Sequence, residues 1–183
     1  MNASLHRSAR TKNGFTILEV LIVMVIIAIL ATIVLNYYGG AKERAYLKKA
    51  DSELNIMASA VKFYTQKYNA YPPDVNRGLP AGLNEFLSAD QGKNWPDGPW
   101  PGSVYDYDYF NNSGETVQIS IRFCPIGGPL SACKFPPEPW AANFGVDSSY
   151  YYCIKGNCKA HPSQPDSYPG YCVNCPGNKA ILG

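Results

Sequence analysis

The stretch Arg10-Thr-Lys-Asn-Gly-Phe-Thr-Ile-Leu-Glu-Val-Leu-Ile-Val-Met-Val-Ile-Ile-Ala-Ile-Leu30 decides the fold. It joins a short basic leader to an apolar run, with one acid, Glu19, inside the run. From Phe15 to Leu35 only Thr16, Glu19 and Thr32 interrupt the apolar residues. As a helix this run spans ~31 Å, enough to cross a bilayer core. It is longer than a secretory h-region and the helical pattern continues past it, so retention is favoured over removal. Glu19 is costly inside a membrane, at roughly 2.5–3.5 kcal/mol near the centre and less near an end. It lies one helical turn after Phe15. A cut between Gly14 and Phe15 creates an α-ammonium within reach of that carboxylate, at the helix end where negative charge is favoured. At ~4 Å the two attract by about 4 kcal/mol at an effective dielectric near 20, which offsets the insertion cost. The amine belongs either to the same chain or to a neighbour.

Beyond the run, Leu47, Ala50, Leu54, Met57, Val61, Tyr64 and Tyr68 recur at alternating steps of three and four, one stripe of a helix. The expectation is a helix from Phe15 to about Tyr68, with a weak point at Gly39-Gly40, since two glycines cost ~2 kcal/mol relative to alanine. All 15 prolines lie from Pro72 onward, which excludes long helices there. Gly82–Leu87 suits a short helical turn. Tyr105–Tyr109, Thr116–Phe123 and Ser149–Ile154 read as strands, with a hairpin turn over Asn111–Glu115 between the first two. The fold class is α+β: a long N-terminal helix, membrane-spanning in its first half, packed on a small antiparallel sheet, with a disulfide-tied C-terminal region. The segments are a leader over 1–14, a membrane helix over 15–36, its amphipathic continuation over 37–70, and an exported domain over 71–183.

The six cysteines, Cys124, Cys133, Cys153, Cys158, Cys172 and Cys175, all lie in the last third. An even number downstream of a membrane segment favours disulfides in an oxidising compartment. Zinc is the rival, because Cys172-x-x-Cys175 has ligand spacing, but it leaves Cys124 and Cys133 over. The spacing chooses no connectivity. The cysteines place the N-terminus inside and the domain outside; the lysines and arginines on the two sides of the run do not decide it, because Lys42, Arg44, Lys48 and Lys49 follow it.

The leader holds Arg7, Arg10 and Lys12 of the 16 basic residues, against 14 acidic ones in the chain, so the remainder is near neutral and predicts no nucleic-acid partner. Tyr105, Tyr107, Tyr109 and Tyr150–Tyr152 read as sheet packing rather than a base-stacking platform. Catalytic constellations are poor. His161 is the single histidine after the leader and reads as a solvated loop residue. There is no phosphate-binding loop. Asn111-Asn112-Ser113 fits a glycosylation acceptor.

Gly14, Phe15 and Glu19, with this flank and apolar run, resemble the class III signal of type IV pilins and type II secretion pseudopilins. The resemblance implies cleavage after Gly14 by a prepilin peptidase, N-methylation of Phe15, and assembly of the apolar helices into a homo-oligomeric filament with other pilins or pseudopilins. It assigns Glu19 to pairing with the N-terminal amine of an adjacent subunit. Tyr68–Pro72, Gly82–Leu87 and Trp95–Tyr109 are similar to the G-type major pseudopilins. That group typically uses a calcium loop where this chain is cysteine-rich, so no metal is expected. Asp106, Asp108 and Asp147 are the candidate calcium ligands, and Tyr-Asp alternation instead places the first two on the wet face of a strand. The competing functional reading is a binding or enzymatic domain tethered by a signal anchor, which would not polymerise.

Overall fold

The structure is a computed structural model and describes residues 14–87, 95–111, 114–161, 168–176 and 180–181. The leader up to Asn13, Asn112 and Ser113 of the glycosylation sequon, and most of the His161–Gly170 loop lie outside those residues. One helix, α1, runs Ile17–Tyr68 and is continuous through Gly39-Gly40. The chain divides into two compact units, 1–41 and 42–183.

The first unit carries the apolar run. Every large apolar side chain from Phe15 to Leu35 is at least half exposed, so no described residue of this unit buries the run. Thr32 satisfies its hydroxyl by donating to the Ile29 carbonyl at 2.7 Å, as an apolar medium requires.

In the second unit, strands β1 (Val104–Phe110), β2 (Thr116–Arg122), β3 (Ser149–Lys155), β4 (Gly170–Cys172) and β5 (Ala180–Ile181) form one sheet in chain order. Sequence reading expects an antiparallel sheet, and one pair departs from it: β3 and β4 run parallel. The expected turn at Gly82–Leu87 is a 3-10 turn over Leu83–Phe86. The helical stripe seats Ala50, Leu54, Met57 and Val61 in the core. Cross-strand register sets Tyr105 opposite Ile121, Tyr107 opposite Ile119 and Tyr109 opposite Val117, one face of alternating residues packed in the same core. Three rings, Trp100, Trp140 and Tyr171, pack around Tyr150, with Tyr171 stacked on it at 5.3 Å.

The cysteines form Cys124–Cys133, Cys153–Cys158 and Cys172–Cys175, each with its neighbour in sequence. Such short loops contribute on the order of 2–3 kcal/mol each in the chain-entropy account. The last ring also builds the sheet edge: the Asn174 side chain donates to the Cys153 carbonyl at 2.7 Å and accepts the Cys153 N–H at 2.8 Å.

The other face of the sheet corrects two expectations. Asp106 and Asp108 are not on a wet face but are 6% exposed, because residues 158–161 are laid across them. Lys159 exchanges two hydrogen bonds with the Gln118 amide, and the Ala160 carbonyl accepts from Arg122 and from Ser149. Gly170 permits this, since a Cβ there would sit 2.7 Å from that of Ala160. Arg122 is the centre of the layer, with Nε 3.0 Å from Asp106 and Nη2 3.4 Å from Asp108. Nor is His161 simply solvated. It is half-buried and lines a cavity of about 210 Å³ with Arg77, Arg122 and Asp147. Burial and the nearby Arg122 hold its pKa below the usual value.

Burial pushes the Asp108 carboxyl up to about 7 from its ordinary 3.8; Arg122 opposes the shift and the Asp106 carboxylate adds to it. A raised carboxyl contributes stability that is complete below about pH 4 and is lost as pH rises towards 7. Asp108→Asn is therefore expected to remove this loss. Its melting temperature relative to the parent should climb as pH goes from 4 to 8, measured by calorimetry of the detergent-solubilised protein. A difference that stays constant across that range would refute the assignment.

Candidate functional site

The chemistry-bearing segment of the first unit is Gly14–Glu19. Thr16 has the position of N-cap to α1, and Glu19 is its third helical residue. The Thr16 hydroxyl accepts the Glu19 N–H at 3.2 Å. In return Glu19 Oε2 accepts the Thr16 N–H at 2.8 Å and the Thr16 O–H at 2.9 Å. This reciprocal pattern is a capping box, and it satisfies donors that a helix start leaves open. Sequence reasoning placed Glu19 at the helix N-terminus but missed the box, although Thr-x-x-Glu before an apolar run is its signature.

The box changes what Glu19 needs. Both donors converge on Oε2, and a carboxylate has acceptor sites on two oxygens. Oε1 therefore keeps the capacity to meet an ammonium while Oε2 holds the helix start. Phe15 is 89% exposed, and Gly14 is exposed before the helix begins. A Cβ at Gly14 would meet nothing among the described residues within 4 Å.

Gly14, Phe15 and Glu19 belong to the first unit and the cysteines to the second. The candidate calcium ligands each lie beside an arginine. Asp106 accepts the Arg77 N–H at 2.8 Å and the Arg122 guanidinium, Asp108 accepts Gln118 and Arg122, and Asp147 shares its cavity with both arginines. Among the described residues no group of three His, Cys, Asp or Glu is arranged to hold a metal.

Residues 9–35 match the family model described as a prokaryotic N-terminal methylation motif. Three curated relatives are each named type II secretion system core protein G. The one from Aeromonas hydrophila is 37% identical over 49% of this chain and 62% of its own length. The one from Klebsiella pneumoniae is 32% identical over 66% of this chain and 89% of its own length. The one from Pseudomonas aeruginosa is 31% identical over 54% of this chain and 74% of its own length. No solved structure matches the chain.

Proposed function

The chain belongs to the type II secretion system core protein G family of pseudopilins, and on that premise we propose that it is a structural subunit that polymerises through α1 after its leader is removed. Prepilin peptidase cuts between Gly14 and Phe15, the new Phe15 amine is methylated, and the chain waits in the membrane with its domain exported. Assembly then moves the apolar half of α1 from lipid into a filament made of further copies and other pseudopilins. No step requires catalysis by this chain.

The observation that carries this reading is the uncovered apolar half of α1. None of the residues in its candidate membrane span is buried. Each buried CH₂ is worth about 0.8 kcal/mol, so such a surface must find lipid or other helices. Glu19 sits at its start with one oxygen committed to Thr16, which leaves it able to take a neighbour's amine.

Intact-mass measurement of the protein extracted from membranes tests the processing step. The expected mass is that of residues 15–183 plus one methyl group. In Gly14→Val the uncleaved chain is expected to accumulate almost completely with an unchanged far-UV spectrum, because position 14 packs against nothing. Cleavage elsewhere, or full processing of Gly14→Val, would rule out the proposed processing.

A further inference from the structure

The part of α1 that packs on the sheet turns its acids inward. Glu43 Oε2 accepts the Trp100 indole N–H at 3.1 Å, Asp51 Oδ1 accepts the Tyr150 hydroxyl at 2.6 Å, and Glu53 Oε2 accepts the Tyr105 hydroxyl at 2.5 Å. In sequence these acids offset Lys42, Arg44, Lys48 and Lys49. In the fold, among the described residues, Glu53 alone keeps an ion pair with one of them, Lys49. Those four residues are exposed, and Arg44 and Lys48 have no ion pair among the described residues. Lys49 reaches Glu53 only at 3.8 Å with its side chain half exposed, and Lys42 lies over the Tyr46 ring. Successive helical residues turn by ~100°, which places Arg44 and Lys48 on one stripe, more than a quarter-turn around the helix from the buried Ala50.

These cations follow directly on the apolar run that ends at Leu35. In sequence they begin seven residues after Leu35. That is within reach of a headgroup layer once a long side chain and a Debye length of about 8 Å are added. Tyr38, between run and cations, is 68% exposed, and tyrosine is favoured at a membrane–water interface. Exposed positive charge close in sequence to a membrane-spanning run, with Lys49 alone of the four ion-paired among the described residues, is complementary to anionic lipid.

We propose that Lys42, Arg44, Lys48 and Lys49 dock the outer face of α1 on anionic phospholipid headgroups of the leaflet from which the domain emerges. This rests on membrane insertion of residues 15–35 and not on polymerisation. Docking fixes the domain against the membrane surface while the subunit awaits assembly, and incorporation into a filament must break it.

The test uses the full chain in nanodiscs of phosphatidylcholine alone or of phosphatidylcholine mixed with phosphatidylglycerol. Lysines are labelled with a water-soluble amine-reactive reagent and read by mass spectrometry. Lys48 and Lys49 are expected to react more slowly in the anionic discs by roughly fivefold or more, the scale of one cation at an anionic surface. Added salt should abolish the difference, and Lys134, on an exposed loop, should react alike in both. The double variant Arg44→Glu, Lys48→Glu should erase the lipid dependence at Lys49 without changing the melting temperature. Equal rates in both bilayers overturn the proposal. So does protection that tracks the number of chains per disc rather than lipid charge, which would make a second copy the occupant. Release of the chain from discs by alkaline carbonate would instead defeat the insertion premise, so the two failures are distinct.

Discussion

Replacing Arg122 with methionine is expected to destabilise the exported unit by about 3–5 kcal/mol, the cost of removing one partner from a buried charge cluster. For a unit of this size that is a fall in melting temperature on the order of 10–20 °C. The side chain is 3% exposed. It donates to Asp106 and Asp108, and to the carbonyls of Ala160 at 2.8 Å and Asp147 at 3.4 Å. Methionine fills the space and leaves all four acceptors without that donor. Arg122→Lys should recover only part, since one ammonium cannot reproduce the planar fork. Adding Asp106→Asn and Asp108→Asn to Arg122→Met should also recover part of the loss, because the stranded charges are then gone. A fall of less than a few degrees for Arg122→Met alone would show that the cluster is not a stability element. Hydrogen exchange gives a local check: Lys159 and Ala160 should open first, since their hydrogen bonds to the sheet run through Arg122, Gln118 and Ser149.

The second large effect is on assembly. Glu19→Gln is expected to cut filament yield by at least about tenfold while leaving helix content unchanged. Glutamine serves the capping box as glutamate does, so the contacts to the Thr16 N–H and O–H are retained and only the charge is lost. Glu19→Ala removes both and costs about a further 1 kcal/mol of helix start. If the charge meets an N-terminal amine, glutamine and alanine should both fail to assemble. If Glu19 acts only as a cap, glutamine should assemble normally and alanine should not. If neither substitution changes filament yield, measured by shearing and sedimentation, the tethered-domain reading is favoured. Quantifying membrane-inserted protein in parallel separates loss of insertion from loss of assembly.

Several features were legible because they are local in the chain. The spacing of Leu47, Ala50, Leu54, Met57 and Val61 is a helical period, and these residues occupy the core as that period requires. Alternation over Tyr105–Tyr109 and Thr116–Phe123 gave two strands for the same reason, and the register puts Tyr107 beside Ile119 on the buried face. Thr16-x-x-Glu19 was equally local and could have been read.

The back of the sheet was not legible. Alternation says that Asp106 and Asp108 share a face, but not that a segment some fifty residues later will cover it. Nor does composition say which of α1's charges look inward; tyrosine and tryptophan partners from distant strands select Glu43, Asp51 and Glu53. By itself the sequence determined the apolar helix, its N-terminal methylation motif and the strand periods, because each is a repeat or motif local in the chain. Tertiary structure alone decided the cysteine pairing, the buried Arg122 cluster and the basic outer face of α1. Those depend on contacts between residues far apart in the chain, where satisfying a buried charge or hydrogen bond selects the partner.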